Sequence, residues 1–197
     1  MLIVENLPIH NLVGPMTDEE LYLFCRANAD LQIERDSQHN IIIMSPASGS
    51  SGFRELKIMT YLNLWAENDN TGLAFSSSTG FYLSNGAMRS PDAAWLSLPR
   101  WNALSEKQKD RFLSAVPEFV VELRSPSDRL SKLKQKCTEW IDNGVQLLWL
   151  IDPKSETNWI YRANGGCEEV IGFDKILSGE GVLPGFAFSL SRLVLPG

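Results

Sequence analysis

The sequence predicts an α/β fold with a central mixed β-sheet flanked by helices. An apolar strand, a helix and a second apolar strand follow one another over residues 118–151, which is the pattern of a βαβ unit with parallel strands. Shorter strand patterns separated by turn residues come before and after this unit, as antiparallel strands do. A composition of 44% hydrophobic and 21% charged residues over 197 positions predicts one globular domain, residues 1–197, with residues 1–15 as an N-terminal arm.

The elements before residue 100 are predicted from caps, alternation and turn residues. Thr17 and Glu20 form a capping box, which predicts a helix starting there. Asn85-Gly86 is a hairpin turn signal. The other expected elements are a hairpin over residues 31–44, a small-residue loop over 45–52, a helix over 53–68 and strands at 74–78, 80–83 and 91–98.

The second half of the chain contains the βαβ unit. A short helix is expected over residues 105–114 and a buried strand over 118–123. Ser127 or Asp128 is expected to cap the next helix, which ends at Asn143-Gly144. Its apolar stripe consists of Leu130, Leu133, Cys137, Trp140 and Ile141. A strand over 146–151 and antiparallel strands at 158–161 and 168–171 complete the prediction.

Composition excludes several classes of protein. Three widely spaced cysteines argue against a disulfide framework and predict a reducing compartment, so we expect a cytoplasmic protein. Two isolated histidines and the absence of a CxxC motif make a structural zinc site unexpected. The first residues lack a basic region followed by an apolar run, so no signal peptide is expected. No apolar stretch is long enough to predict a membrane span.

The net charge of −6 is unevenly distributed along the chain. Residues 100–136 hold nine basic and five acidic residues, whereas the segments on either side are acidic. An acidic protein is not expected to coat nucleic acid nonspecifically. The basic segment predicts an electropositive rim around a small carboxylate cluster, with a chance scatter of charged helical residues as the alternative.

Glu122 is the first candidate site residue, because it is an acid inside an apolar strand and lies near the carboxyl end of that strand. Ligands of open α/β sheets gather at such ends. Alternation places Glu122 and Arg124 on one face of the strand. An unpaired buried carboxylate is costly, so Glu122 is expected to pair with Arg124, to be protonated or to bind a cation.

Two further carboxylates have both a structural and a functional interpretation. Asp92 follows Pro91 at the start of a strand, where a strand-entry turn would also explain it. Glu55 lies inside the apolar stripe of its helix, but also near the N-terminus, where a carboxylate is favoured in any case.

The helix after Glu122 presents basic residues along one edge. Arg129, Lys132 and Lys136 follow one another at i, i+3, i+7 spacing. Only one edge of this helix can face the strand that carries Glu122, and we favour this three-residue edge. Extension of the side chains along a solvated flank is the alternative.

These residues resemble a known family. Pro91-Asp92, then Glu122-x-Arg124 on a later strand followed by a βα crossover, resembles the PD-(D/E)xK restriction-endonuclease-like superfamily. The string Pro117-Glu-Phe-Val-Val-Glu-Leu-Arg-Ser-Pro-Ser-Asp128, with Lys136-x-x-x-Trp140, Gly144-Val145 and Trp149-Leu-Ile-Asp-Pro153 after it, is similar to the Uma-two family of endonucleases. The similarity extends from the hairpin at residues 34–46 to Leu183-Pro-Gly-Phe186, which is most of the chain after about residue 15.

The resemblance implies a restriction-endonuclease-like fold and a metal-dependent endonuclease that acts on DNA. Asp92 and Glu122 would hold Mg²⁺ or Mn²⁺, with the backbone carbonyl of Leu123 as a further ligand. Glu55 matches the position of a helical glutamate that some members add as a ligand. A homodimer would allow both strands of DNA to be cut.

One residue departs from the motif. Arg124 stands where the motif has lysine, and arginine cannot release its proton to act as a base. We therefore expect Lys136 to orient the attacking water and Arg124 to contact phosphate, with Arg129 and Lys132 as further nucleic-acid contacts. The alternative is a nuclease fold with weak or no catalysis that serves as a binding or scaffold module.

Overall fold

The computed structural model describes residues 15–197, so the arm predicted over residues 1–15 lies outside the described residues except for its last position. The strands are, in chain order, β1 Gln32–Arg35, β2 Ile41–Met44, β3 Gly72–Ser76, β4 Phe81–Tyr82, β5 Met88–Arg89, β6 Ala93–Ser97, β7 Phe119–Leu123, β8 Leu147–Asp152, β9 Thr157–Arg162, β10 Cys167–Ile171, β11 Ile176–Ser178 and β12 Ala187–Ser189. The helices are α1 Asp18–Ala27, α2 Gly49–Asp69, α3 Leu98–Asn102, α4 Glu106–Lys109, α5 Leu130–Asp142 and a 3₁₀ turn at Leu190–Leu193.

A six-stranded mixed sheet in the order β10-β9-β8-β7-β6-β3 forms the centre of the fold. Within it β7 and β8 are parallel and joined by α5, and the other neighbouring pairs are antiparallel. A four-stranded sheet, β2-β1-β5-β4, and the β11–β12 pair are separate from it. The predicted α/β class, with a mixed sheet flanked by helices, is confirmed.

The two faces of the central sheet have separate hydrophobic cores. Alternate residues of β7 point to opposite faces, because side chains of a strand alternate. Phe119 and Val121 pack with α2 and the C-terminal elements, whereas Val120 packs with Cys137 and Trp140 of α5. Glu122 shares the face of Val120, so the fold directs its carboxylate towards α5.

Several boundaries differ from those predicted. The loop expected over residues 45–52 is shorter, because Ser48 caps α2 and its hydroxyl accepts from the amide of Ser51. The helix expected over 105–114 ends at Lys109, because Leu113 instead bonds to Gly80 and Tyr82 as an extra backbone partner of β4. The short elements β5, α3, β11 and β12 were not predicted.

The start of α5 also differs from the prediction. Its N-cap is Arg129, not Ser127 or Asp128. The Asp128 carboxylate accepts from the amide of Ser125 at 2.7 Å and therefore holds the preceding loop. No helix within residues 15–197 is both long and apolar enough to cross a membrane.

Candidate active site

Glu122 lies near the carboxyl end of β7 with 3% of its surface exposed. Its Oε1 accepts a hydrogen bond from the indole Nε1 of Trp140 at 2.8 Å. The same oxygen is 3.0 Å from Nζ of Lys136, which also donates to Oε2 at 3.1 Å. Burial and the nearby Glu34 outweigh these contacts and raise the pKa of Glu122 above its usual range. The carboxylate is therefore paired with Lys136 and not with Arg124.

Asp92 precedes β6 directly and lies beside Glu122. Ala93 pairs with Val121, so the same antiparallel register continued by one residue sets Asp92 opposite Glu122. The Leu123 amide donates to Oδ2 of Asp92 at 2.5 Å. Burial, followed by repulsion from Glu122, holds the pKa of Asp92 well above its usual range. Two carboxylates thus meet at the ends of neighbouring strands.

Lys136 reaches this pair from the second turn of α5 and also contacts a third carboxylate. Its Nζ is 2.9 Å from Oε1 of Glu34 in β1 and 3.4 Å from the carbonyl oxygen of Ser90. Burial opposes the charge of the lysine, but Glu122 and Glu34 outweigh it and raise its pKa above the usual range. For the same reason Lys136 and Arg89 hold the pKa of Glu34 below its usual range despite complete burial. Lys136 therefore carries a proton at neutral pH.

A second row of ion pairs lies behind Glu34. Arg89 donates from Nη1 to Oε2 of Glu34 at 3.0 Å and from Nε to Oε2 of Glu139 at 2.7 Å. The Asn85 amide donates to the other oxygen of Glu139 at 3.0 Å. A continuous series of polar contacts thus runs from the Asn85 side chain through Glu139, Arg89 and Glu34 to Lys136. These contacts hold the small, four-stranded sheet against α5.

Arg124 pairs with neither Asp92 nor Glu122. Its Nη1 donates to Oδ2 of Asp152 at 2.7 Å, and Nε and Nη2 donate to the carbonyl oxygen of Asp128 at 3.3 Å. The Arg124 amide donates to the carbonyl oxygen of Ile151 at 2.8 Å, so the β7–β8 register continues by one residue and sets Arg124 opposite Asp152 on the face of Glu122. The expected Glu122–Arg124 pair is absent, and the guanidinium connects the β7–α5 loop to the end of β8.

The remaining predicted residues lie around the pair. Glu55 of α2 accepts a hydrogen bond from the Ser77 hydroxyl and is near enough to contribute to the raised pKa of Asp92. Leu123 ends β7, and its amide is the one bonded to Asp92. Arg129 and Lys132 are exposed at the start of α5. The structure therefore brings together Asp92, Glu122 and Lys136, with Glu55 nearby and Arg124 paired with Asp152 instead.

Glu34 and Arg89 were not predicted as site residues, although Glu34 contacts Lys136 and Arg89 holds Glu34. Both are buried, at 3% and 8% exposure, in strands of the small sheet. The available signal was a charged pair, Glu34-Arg35, in a hairpin strand where polar residues are usually solvent-exposed. Nothing in the local pattern shows which residue of α5 would meet this hairpin.

The chemistry open to the site follows from its donors. Within residues 15–197 no three histidine, cysteine, aspartate or glutamate side chains are placed to hold a metal ion. The Asp92–Glu122 pair nevertheless offers carboxylate oxygens, which are the donors that Mg²⁺ and Mn²⁺ prefer. A buried pair of acids with raised pKa values favours either a shared proton or a bound cation.

Comparisons with known proteins agree with this fold. A crystal structure of a putative nuclease belonging to DUF820, from Anabaena variabilis ATCC 29413, has the same fold, with a TM-score of 0.72 and 18% sequence identity over 91% of this chain and 97% of that chain. No curated protein matches the chain. The model of the Uma2 family, described as "Putative restriction endonuclease", matches residues 18–191, and the chain therefore belongs to the Uma2 family.

Proposed function

We propose that this protein is a metal-dependent endonuclease that hydrolyses phosphodiester bonds in DNA. The observation that carries the proposal is Asp92, a carboxylate with a strongly raised pKa opposite a second carboxylate, Glu122. Among the described residues no basic side chain lies within ion-pair distance of Asp92. Such a group is stabilised by a cation, and membership of a family described as restriction endonucleases is in keeping with that use.

The donor set fits Mg²⁺ or Mn²⁺. Asp92 and Glu122 would hold the ion, with the Leu123 carbonyl and Glu55 as further ligands. When bound, the ion lowers the pKa of a water molecule and polarises the scissile phosphate. The role of the two carboxylates is to fix the ion at the ends of β6 and β7. Trp140 restricts Glu122 through its indole N–H, so the orientation of this carboxylate is set before the ion arrives.

Lys136 supplies the positive charge that the motif normally places two residues after the glutamate. Its ammonium lies beside Glu122, where it can orient a water molecule and stabilise charge on phosphate. Arg124 cannot act as a base, and its guanidinium is already paired with Asp152. We therefore assign the catalytic role to Lys136, and a phosphate bound by Arg124 would have to compete with Asp152.

The start of α5 is the proposed nucleic-acid contact. Arg129 and Lys132 are exposed there and form no ion pair among the described residues. If each contacts a phosphate, the double variant Arg129→Ala/Lys132→Ala should weaken DNA binding and reduce the slope of log K against log salt by about 2. Lys107→Ala, which removes an exposed lysine of α4, is the control. An unchanged salt dependence would contradict the assignment.

The nuclease proposal is tested by cleavage of DNA and RNA with Mg²⁺ or Mn²⁺. Asp92→Asn and Glu122→Gln should each abolish cleavage, because each removes a charged ligand. Lys136→Ala should lower the rate, whereas the exposed Lys107→Ala should not. Undiminished cleavage by Asp92→Asn would refute the site, and undiminished cleavage by Lys136→Ala would refute the role of the lysine. Cleavage of RNA but not of DNA would show that the substrate is RNA.

A binding or scaffold module is the second candidate. It is favoured by the engagement of Arg124 with Asp152, which leaves the usual lysine position without a free cation. Calorimetric titration of Mg²⁺ or Mn²⁺ separates the two candidates. Binding that is lost in Asp92→Ala supports the enzyme, and the absence of carboxylate-dependent binding supports the module.

A further inference from the structure

The ammonium of Lys136 lies within a group of oxygen atoms. Oε1 of Glu34 is 2.9 Å away, and Oε1 and Oε2 of Glu122 are 3.0 Å and 3.1 Å away. The carbonyl oxygen of Ser90 is 3.4 Å away. Carboxylate and carbonyl oxygens are also the ligands of hard divalent cations. Lys136 thus occupies a position whose chemistry suits a metal ion.

Both oxygens of Glu122 are already in use. Lys136 contacts each of them, and Trp140 donates to Oε1 as well. A divalent ion that binds to Glu122 therefore competes with the ammonium for these oxygens, and a double positive charge this close repels the ammonium and displaces it. Charge-assisted hydrogen bonds are strong, so this displacement opposes metal binding.

Glu34 gives the displaced ammonium a second partner. It is held independently of Glu122, by Arg89 on Oε2 and by the Ser90 amide on Oε1 at 2.9 Å. Glu34 therefore keeps its contacts with Arg89 and Ser90 when an ion binds at Glu122. A lysine that lost Glu122 and had no second carboxylate would be left as an unpaired buried charge, which is costly.

We infer that the Lys136 ammonium is a placeholder for the divalent cation at Glu122, and that Glu34 is the positioning residue that retains Lys136 when the cation binds. The inference rests on the proposed metal site of Asp92 and Glu122. It predicts opposite effects of two substitutions on metal affinity. Removing the ammonium strengthens metal binding, and removing the retaining carboxylate weakens it.

The test measures Mn²⁺ affinity by calorimetry, with tryptophan-sensitised Tb³⁺ luminescence as a second readout of metal occupancy. Lys136→Met should lower the dissociation constant about tenfold, because metal binding no longer displaces a charged hydrogen bond. Glu34→Gln should raise it about tenfold for the opposite reason. Lys107→Met, which removes an exposed lysine remote from these oxygens, should change neither readout.

A double-mutant cycle separates the inference from a simple effect of charge. If Glu34 acts through Lys136, Glu34→Gln should change the affinity less than about twofold in the Lys136→Met background. If Glu34→Gln still weakens Mn²⁺ binding in the Lys136→Met background, Glu34 binds the metal directly or acts as a distant charge. That result would overturn the inference. Far-ultraviolet circular dichroism confirms folding. If Lys136→Met does not fold, unchanged affinity in Glu34→Gln alone refutes the inference.

The experiment also distinguishes the inference from the proposal on which it rests. If wild type and Asp92→Ala bind Mn²⁺ equally, both the proposed metal site and the placeholder role of Lys136 are refuted. Binding that depends on Asp92 but is not strengthened by Lys136→Met leaves the metal site in place and refutes the placeholder alone.

Discussion

Replacing Arg124 with methionine tests whether this residue supports the fold. The substitution removes the guanidinium from Asp152, whose side chain is fully buried, while keeping an apolar stem of similar length. Asp152 retains hydrogen bonds from the Ser155 hydroxyl at 2.8 Å and from the Lys154 amide at 2.9 Å. Breaking a buried ion pair costs about 3–5 kcal/mol. Because Asp152 keeps these two hydrogen bonds and the Arg124 side chain is 18% exposed, we expect the free energy of unfolding to fall by about 3 kcal/mol, the lower end of this range.

The pH dependence gives this prediction a second, independent outcome. Burial favours protonated Asp152, but the Arg124, Ser155 and Lys154 contacts outweigh it and hold the pKa of Asp152 below its usual range. A carboxyl group whose pKa is lower in the folded protein stabilises the fold at any pH above its pKa in the unfolded chain, about 3.9 for aspartate. This stabilisation is lost as the pH falls through the pKa in the folded protein. The difference between wild type and Arg124→Met should therefore be largest near neutral pH and shrink in acid.

Urea denaturation at several pH values measures this difference in the free energy of unfolding. Arg129→Met is the matched control, because Arg129 is exposed and forms no ion pair among residues 15–197. The double variant Arg124→Met/Asp152→Asn should recover part of the loss, since no buried charge is left unpaired. Wild-type stability in Arg124→Met at neutral pH, or a difference that does not change with pH, would refute the reasoning.

Three further substitutions test local packing, each by denaturation against wild type. Trp140→Phe should lower the free energy of unfolding by about 2 kcal/mol, because it removes the N–H that bonds to buried Glu122 and leaves a small cavity; no loss would contradict this role. Gly72→Ala should cost about 2 kcal/mol, because its Cβ would lie 2.4 Å from the Trp95 ring and 2.5 Å from the backbone carbonyl oxygen of Leu96; wild-type stability would contradict this close packing. Thr17→Ala should cost about 1 kcal/mol through loss of the capping box, whereas Thr17→Ser should cost less.

Sequence patterns predicted the βαβ unit well because its signals are local and repeated. The apolar stripe of α5 packs as expected, with Cys137 and Trp140 fully buried. The parallel pairing of β7 and β8 follows from the helix between them, since a crossover connection is needed to join parallel strands. Glu122 was noticed because an acid within an apolar strand is unusual, whereas Asp92 gave a weak local signal and was singled out through the resemblance to the Pro-Asp motif.

The partners of Lys136 could not be predicted in the same way. Alternation and helical periodicity place a side chain on a face, but they do not tell which distant element covers that face. Glu34 reaches Lys136 because β1 pairs with β5 at Arg35 and Met88, a long-range contact in a short sheet. Alternation placed Arg124 on the face of Glu122, but it could not show that Asp152, opposite Arg124 on β8, takes the guanidinium.

The same ion pairs change the interpretation of the basic segment over residues 100–136. Five of its nine basic side chains lie within ion-pair distance of carboxylates, namely Arg100, Lys109, Arg111, Arg124 and Lys136. Lys134 packs over the ring of Trp159 at 3.9 Å. Most of the excess positive charge is therefore used within the protein and does not form the broad electropositive rim that the composition predicted. What remains near the site is the start of α5, with Arg129 and Lys132. A surface of this kind supports only weak contact with nucleic acid, so a cation bound by Asp92 and Glu122 would have to contribute much of the attraction for phosphate.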